Sequence, residues 1–103
     1  MIFSREQQIL AVQLVKIRSD QSACFSLITS NAKTRSFSEL FRRNGLLTVR
    51  DNGVELLPEF FNQVQLNGLT DESGDITEYG DELSQQQIKE SYKLLRSLIP
   101  AAF

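Results

Sequence analysis

A chain of 103 residues, 41% of them apolar, can bury one hydrophobic core and is too short for two, so a single domain spanning 1–103 is expected. There is no histidine and one cysteine, Cys24, which removes the usual Cys/His metal frameworks and the Ser-His and Cys-His nucleophile pairs. No apolar run is long enough to span a bilayer, and the first residues lack the basic start and apolar core of a signal peptide. The expectation is a cytoplasmic, non-enzymatic protein with no cofactor, metal or membrane partner.

The net charge of −2 conceals a segregation along the chain. Residues 33–50 carry Lys33, Arg35, Arg42, Arg43 and Arg50 against Glu39, a local sum of +4. Residues 51–90 carry ten acids against Lys89, a local sum of −9. A uniformly solvated surface would rarely separate its charges in this way.

In chain order, Ser4 is the cap of a first helix reaching Arg18, with Glu6 in its first turn where the helix dipole favours a negative charge. Ile9, Leu10, Ala11, Val12, Leu14, Val15 and Ile17 cover nearly its whole circumference. Such a helix is either the centre of the core or part of a subunit contact. Asp20 and Ser22 offer caps for a short helix near 22–30, in which Ala23, Cys24, Leu27 and Ile28 form an apolar stripe and Cys24 has a buried structural role. Ser36 with Glu39 reads as a capping box for a third helix of about 37–43, stopped by Asn44-Gly45.

Residues 46–57 then read as a β-hairpin turning at Asn52-Gly53, because both central residues of a type I′ turn need φ > 0. A rival parse runs one helix from Val54 to Leu66. In the hairpin parse, Pro58 opens a helix of 58–66 that Asn67-Gly68 ends. Asn44-Gly45-Leu46 and Asn67-Gly68-Leu69 echo one another as reused punctuation. Residues 69–77 read as a second, smaller hairpin or tight loop, and a final helix spans about 78–98 before Pro100. The fold class is mainly α with small β-hairpins, winged-helix-like, the 46–57 hairpin closing a helix-turn-helix.

Asn67-Gly-Leu-Thr, the turn at Ser73-Gly74 and Ile76-Thr-Glu-Tyr-Gly-Asp-Glu-Leu83 resemble the passage from wing to C-terminal helix in winged helix-turn-helix regulators of the MarR and PadR type. The resemblance covers about fifteen residues and implies DNA binding and a long dimerisation helix. In its register the recognition helix is 58–66, which carries Glu59 and neither Lys nor Arg. A second register places the helix-turn-helix at 22–43 and the wing at 46–57. There the candidate nucleic-acid-binding residues are Lys33, Arg35, Ser36, Ser38, Arg42, Arg43 and Arg50: cations for phosphate, arginine and serine for base edges. The charge segregation favours this second register, and a solvated basic edge is the alternative.

Asp71, Ser73, Asp75, Thr77 and Glu82 have part of the spacing of an EF-hand loop. Ile76 stands where that loop needs glycine and Glu78 where it needs an apolar residue, so an acidic turn without calcium is expected. Glu55 with Glu59 and Glu78 with Glu82 share a face if those segments are helical, and are read as exposed acids. On the last helix Leu83, Leu94 and Leu98 form one apolar group, and Ile88, Tyr92, Leu95 and Ile99 a second, which is expected to be a homodimer interface; the alternative is that the nearly all-apolar first helix covers both groups within one monomer. The leading expectation is a small regulator that binds duplex DNA. The alternative is a protein-interaction module whose acidic 51–90 face meets a basic protein partner.

Overall fold

The computed structural model describes residues 1–98, with side chains as far as Glu90. The element order is α1 (Arg5–Lys16), α2 (Gln21–Ile28), α3 (Ala32–Arg43), β1 (Leu47–Arg50), β2 (Gly53–Leu56), α4 (Pro58–Leu66) and α5 (Glu78–Leu98). The fold is mainly helical with one two-stranded antiparallel hairpin, a small winged-helix-like architecture. Among the described residues no helix is long and apolar enough to cross a membrane.

The expected Ser4 cap is present and closes a capping box with Gln7: Ser4 Oγ accepts from the Gln7 amide at 3.2 Å and Gln7 Oε1 from the Ser4 amide at 2.8 Å. α1 stops at Lys16, two residues short of the expected end. Leu10, Ala11, Val12, Leu14 and Val15 are all buried, so α1 is the central helix of the core, and α4 and α5 pack on it. The Asp20 carboxylate caps α2 by accepting from the Ala23 amide at 3.0 Å. Cys24 is buried beneath it, its Sγ 3.5 Å from the Ile17 carbonyl oxygen. Burial, with Asp20 adding a smaller effect, pushes the thiol pKa up, which keeps it protonated and unreactive.

The third helix starts earlier than the Ser36–Glu39 spacing predicts. Its cap is Asn31, whose Oδ1 accepts from the Thr34 amide at 2.9 Å while Thr34 Oγ1 accepts from the Asn31 amide at 3.4 Å. Thr34 Oγ1 also lies 3.2 Å from the Ile28 carbonyl, tying the start of α3 to the end of α2. Residues 29–31 are therefore the whole turn between the two helices, and Ser36 lies inside α3.

Both Asn-Gly stops are the same device. Gly45 (φ 73°) lets the Leu46 amide donate back to Phe41 O at 3.0 Å and its own amide to Arg42 O at 3.1 Å. Gly68 (φ 77°) does the same, with Leu69 donating to Val64 O at 2.9 Å and Gly68 to Gln65 O at 3.0 Å. Each stop delivers a buried leucine, Leu46 or Leu69, into the core.

The hairpin exists, so the rival 54–66 helix does not, and Glu55 on β2 cannot share a helix face with Glu59 on α4. Its turn sits one residue earlier than expected. Asp51 (φ 47°) and Asn52 (φ 63°) are the two central residues, and Gly53 is already paired with Arg50 in the ladder. The register sets Leu47 opposite Leu56 and Val49 opposite Val54. A turn at Asn52-Gly53 would have put Asp51 opposite Val54 on that apolar row, and burial of Val54 decides against it. Gly53 is used for a close approach instead: a Cβ there would lie 3.2 Å from Gln21 Oε1, at the start of α2.

Pro58 occupies the first turn of α4 as expected. Three aromatic rings link distant parts of the chain: Phe41 lies 5.0 Å from Phe3 and 6.1 Å, edge-on, from Phe60, centroid to centroid. The loop after α4 is closed by one antiparallel bridge, Thr70 to Ile76. Asp71 Oδ1 accepts from the Ser73 and Asp75 amides at 2.9 and 3.0 Å, which engages that carboxylate in the turn. Thr77 then caps α5, its Oγ1 accepting from the Gly80 amide at 3.1 Å and donating to Gly68 O at 2.6 Å.

Candidate nucleic-acid interface

α3 presents a charged outer face because Thr34, Phe37, Ser38 and Phe41 turn inward, three of them buried or half-buried around the fully buried Phe41 ring. At ~100° per residue, Arg42, Arg35, Glu39, Arg43 and Ser36 follow one another across an outer arc of about 120°. Lys33, Arg35, Ser36, Arg42 and Arg43 are exposed. Ser38 is the exception among the expected contacts. It is 9% exposed and donates to the Arg35 carbonyl at 2.9 Å, because at i+4 from Thr34 and i−3 from Phe41 it lies on the same side as both. It faces the core and cannot touch a base edge.

Each cation on this face has a partner. Lys33 Nζ reaches Glu6 Oε2 of α1 at 2.6 Å, and Arg35 Nη1 donates to the Thr29 carbonyl at 3.2 Å, which leaves its charge uncompensated. Glu39 is the residue whose role the sequence hid. The capping-box reading made it a helix-start residue, whereas it lies past mid-helix and binds two arginines. Arg42 Nε donates to Oε2 at 3.0 Å and Arg42 Nη2 to Oε1 at 2.6 Å, while Arg43 Nε lies 3.4 Å from Oε1. The signal was present as the i, i+3 and i, i+4 spacing from Glu39 to Arg42 and Arg43. The hydrogen bond from Arg42 holds the Glu39 carboxyl below the usual glutamate range.

Arg50 stands apart from this cluster. It ends β1 and lines a small groove with Gln21, Thr48, Gly53 and Glu55, beside the first residue of α2. A second groove of about 350 Å³, lined by Gln7, Ser36, Phe37, Glu39, Leu40 and Arg43, runs between α1 and the outer face of α3.

On α5, Leu83 and Ser84 are buried, Lys16 of α1 donating to the Ser84 hydroxyl at 2.6 Å and pairing with Asp81 at 3.1 Å. Ile88 is 56% exposed on this chain. Of its expected interface companions, the Tyr92 and Leu95 side chains and all of Ile99 lie outside the described residues. Among the described residues no cluster of three or more His, Cys, Asp or Glu is arranged to hold a metal ion. No protein-family model, curated protein or solved structure matches the chain.

Proposed function

We propose that this domain is a small cytoplasmic regulator that binds duplex DNA, laying the outer face of α3 in the major groove and resting the hairpin on the flanking backbone. The observation that carries the reading is the α2–α3 junction. A three-residue turn joins the two helices and leaves a 12-residue helix with Lys33, Arg35, Arg42 and Arg43 exposed. Phosphate neutralisation supplies essentially all of the sequence-independent affinity for DNA, and the +4 stretch is the most cationic part of the sequence. The partners of Lys33 and Arg43 are surface carboxylates, each held by a single contact, and exposed pairs of this kind hold weakly enough for a phosphate to displace them.

In this reading the 67–83 segment, which resembles the wing-to-helix passage of MarR and PadR regulators, leads into a helix that meets a second copy through Ile88. A specific observation favours one other function, docking of a basic protein partner. All ten acids of the 51–90 stretch are exposed, and apart from Asp81 none forms an ion pair among the described residues.

Fluorescence anisotropy of a labelled random-sequence duplex at low salt separates the two. The full chain should bind at tens of micromolar or tighter, and Arg35→Ala/Arg43→Ala/Arg50→Ala should weaken binding by at least about tenfold. No binding in that range, or binding unchanged in the triple variant, assigns the domain to the protein-interaction reading.

A further inference from the structure

We infer that Glu39 is the base-reading residue of α3, accepting a hydrogen bond from a cytosine amino group, so that the DNA selected by this domain has a G·C pair beneath the middle of the helix. The inference rests on the DNA-binding reading above and adds to it the chemistry of the site recognised.

A carboxylate in the middle of a face that must approach phosphates opposes every sequence equally unless a base repays it. Glu39 lies on the outer arc between Arg35 and Arg43, so it cannot avoid the groove if those arginines enter it. It is also held in one orientation. The two-point contact with Arg42 fixes the plane of the carboxylate while occupying one lone pair on each oxygen, and a carboxylate has about four to offer. Arg43, at 3.4 Å, is the looser of the two partners, and 72% of its side chain is exposed. When it turns to the DNA, Oε1 is left with a free lone pair as well.

The donors on major-groove base edges are the amino groups of cytosine and adenine. Adenine sets the N7 acceptor beside its amino group and would repel a carboxylate, whereas cytosine has no acceptor there. At the selected site guanine, the partner of that cytosine, offers O6 and N7 to an arginine fork, and Arg43, one helical turn from Glu39, is placed to supply it, whereas on random-sequence duplex it meets a phosphate. The same carboxylate penalises sequences without the cytosine, which is how a domain with few cations on its binding face can discriminate.

The test is selection from a random duplex pool with the full chain, followed by affinities for the selected site and its single-base variants, for wild type, Glu39→Gln and Glu39→Ala. Wild type should select a G·C pair and lose about tenfold when it is replaced. Glu39→Gln should move the preference at that one position to adenine, since a carboxamide pairs with adenine N6 and N7. Glu39→Ala should flatten it and bind random duplex more tightly than wild type. If all three proteins bind DNA with the same base preference, Glu39 is only a counter-charge and the inference fails alone. A wild type that binds no duplex removes the DNA-binding reading and the inference with it.

Discussion

Gly80, in the first turn of α5, lies against the backbone of Leu69: a Cβ at Gly80 would come within 2.7 Å of the Leu69 carbonyl oxygen and 3.1 Å of Ile76 Cγ2. That carbonyl already accepts from the Thr77 amide at 3.0 Å, so it has little room to retreat. Alanine favours a helix over glycine by about 1 kcal/mol, while forced overlap in a packed region costs about 1–3 kcal/mol. The overlap wins. Gly80→Ala should lower the stability measured by urea unfolding by up to about 2 kcal/mol, net of its helix propensity. A variant as stable as wild type, or more so, would show that α5 can move off Leu69.

The Arg42 contact on Glu39 has a pH signature. The Glu39 carboxyl is depressed first by the hydrogen bond from Arg42 and then by the nearby positive charges of Arg42 and Arg43. The folded-state value lies below the unfolded one, so the stabilisation is complete above the ordinary glutamate pKa of about 4.3 and is lost as pH falls through the lowered value. An NMR titration of the Glu39 side chain should give a midpoint below the ordinary range, and Arg42→Ala should raise it. An ordinary midpoint in wild type would mean that the pair does not persist in solution.

The parts of the fold that were legible in the sequence are those fixed by a few adjacent residues. The helix stops at Asn44-Gly45 and Asn67-Gly68, Pro58 at the start of α4 and the Ser4 cap each follow from local backbone chemistry, and each stands where the sequence put it. The hairpin was legible but its turn was not, because Asp51 and Asn52 both tolerate positive φ and the choice between two turns was made by the pairing of Val49 with Val54. The start of α3 was missed because Asn31 with Thr34 is a less familiar capping pair than Ser36 with Glu39. That one displacement cast Glu39 as a helix-start residue and hid its contact with Arg42, while Ser38, a polar residue three positions before Phe41, gave no local sign that it turns inward. The Lys33–Glu6 pair joins residues on α1 and α3 and could not be read from local spacing at all.

Self-association is expected through the exposed side of α5. Ile88 is more than half exposed on an otherwise polar stretch of that helix. Light scattering at micromolar concentration should give a dimer for the full chain, and Ile88→Glu should shift it toward monomer with its helical circular dichroism unchanged. A wild-type monomer, or a mutant that stays dimeric, would place the contact elsewhere or remove it.

The salt dependence of binding to random-sequence duplex DNA reports directly on how many of the cations of α3 and the hairpin meet phosphate. If Lys33, Arg35, Arg43 and Arg50 neutralise one phosphate each, log K should fall against log[salt] with a slope of roughly −4, and replacing any one of them by alanine should make the slope shallower by about one unit. Absence of binding at low salt, or a slope unmoved by these substitutions, would contradict the assignment of α3 and the hairpin as the DNA-binding surface.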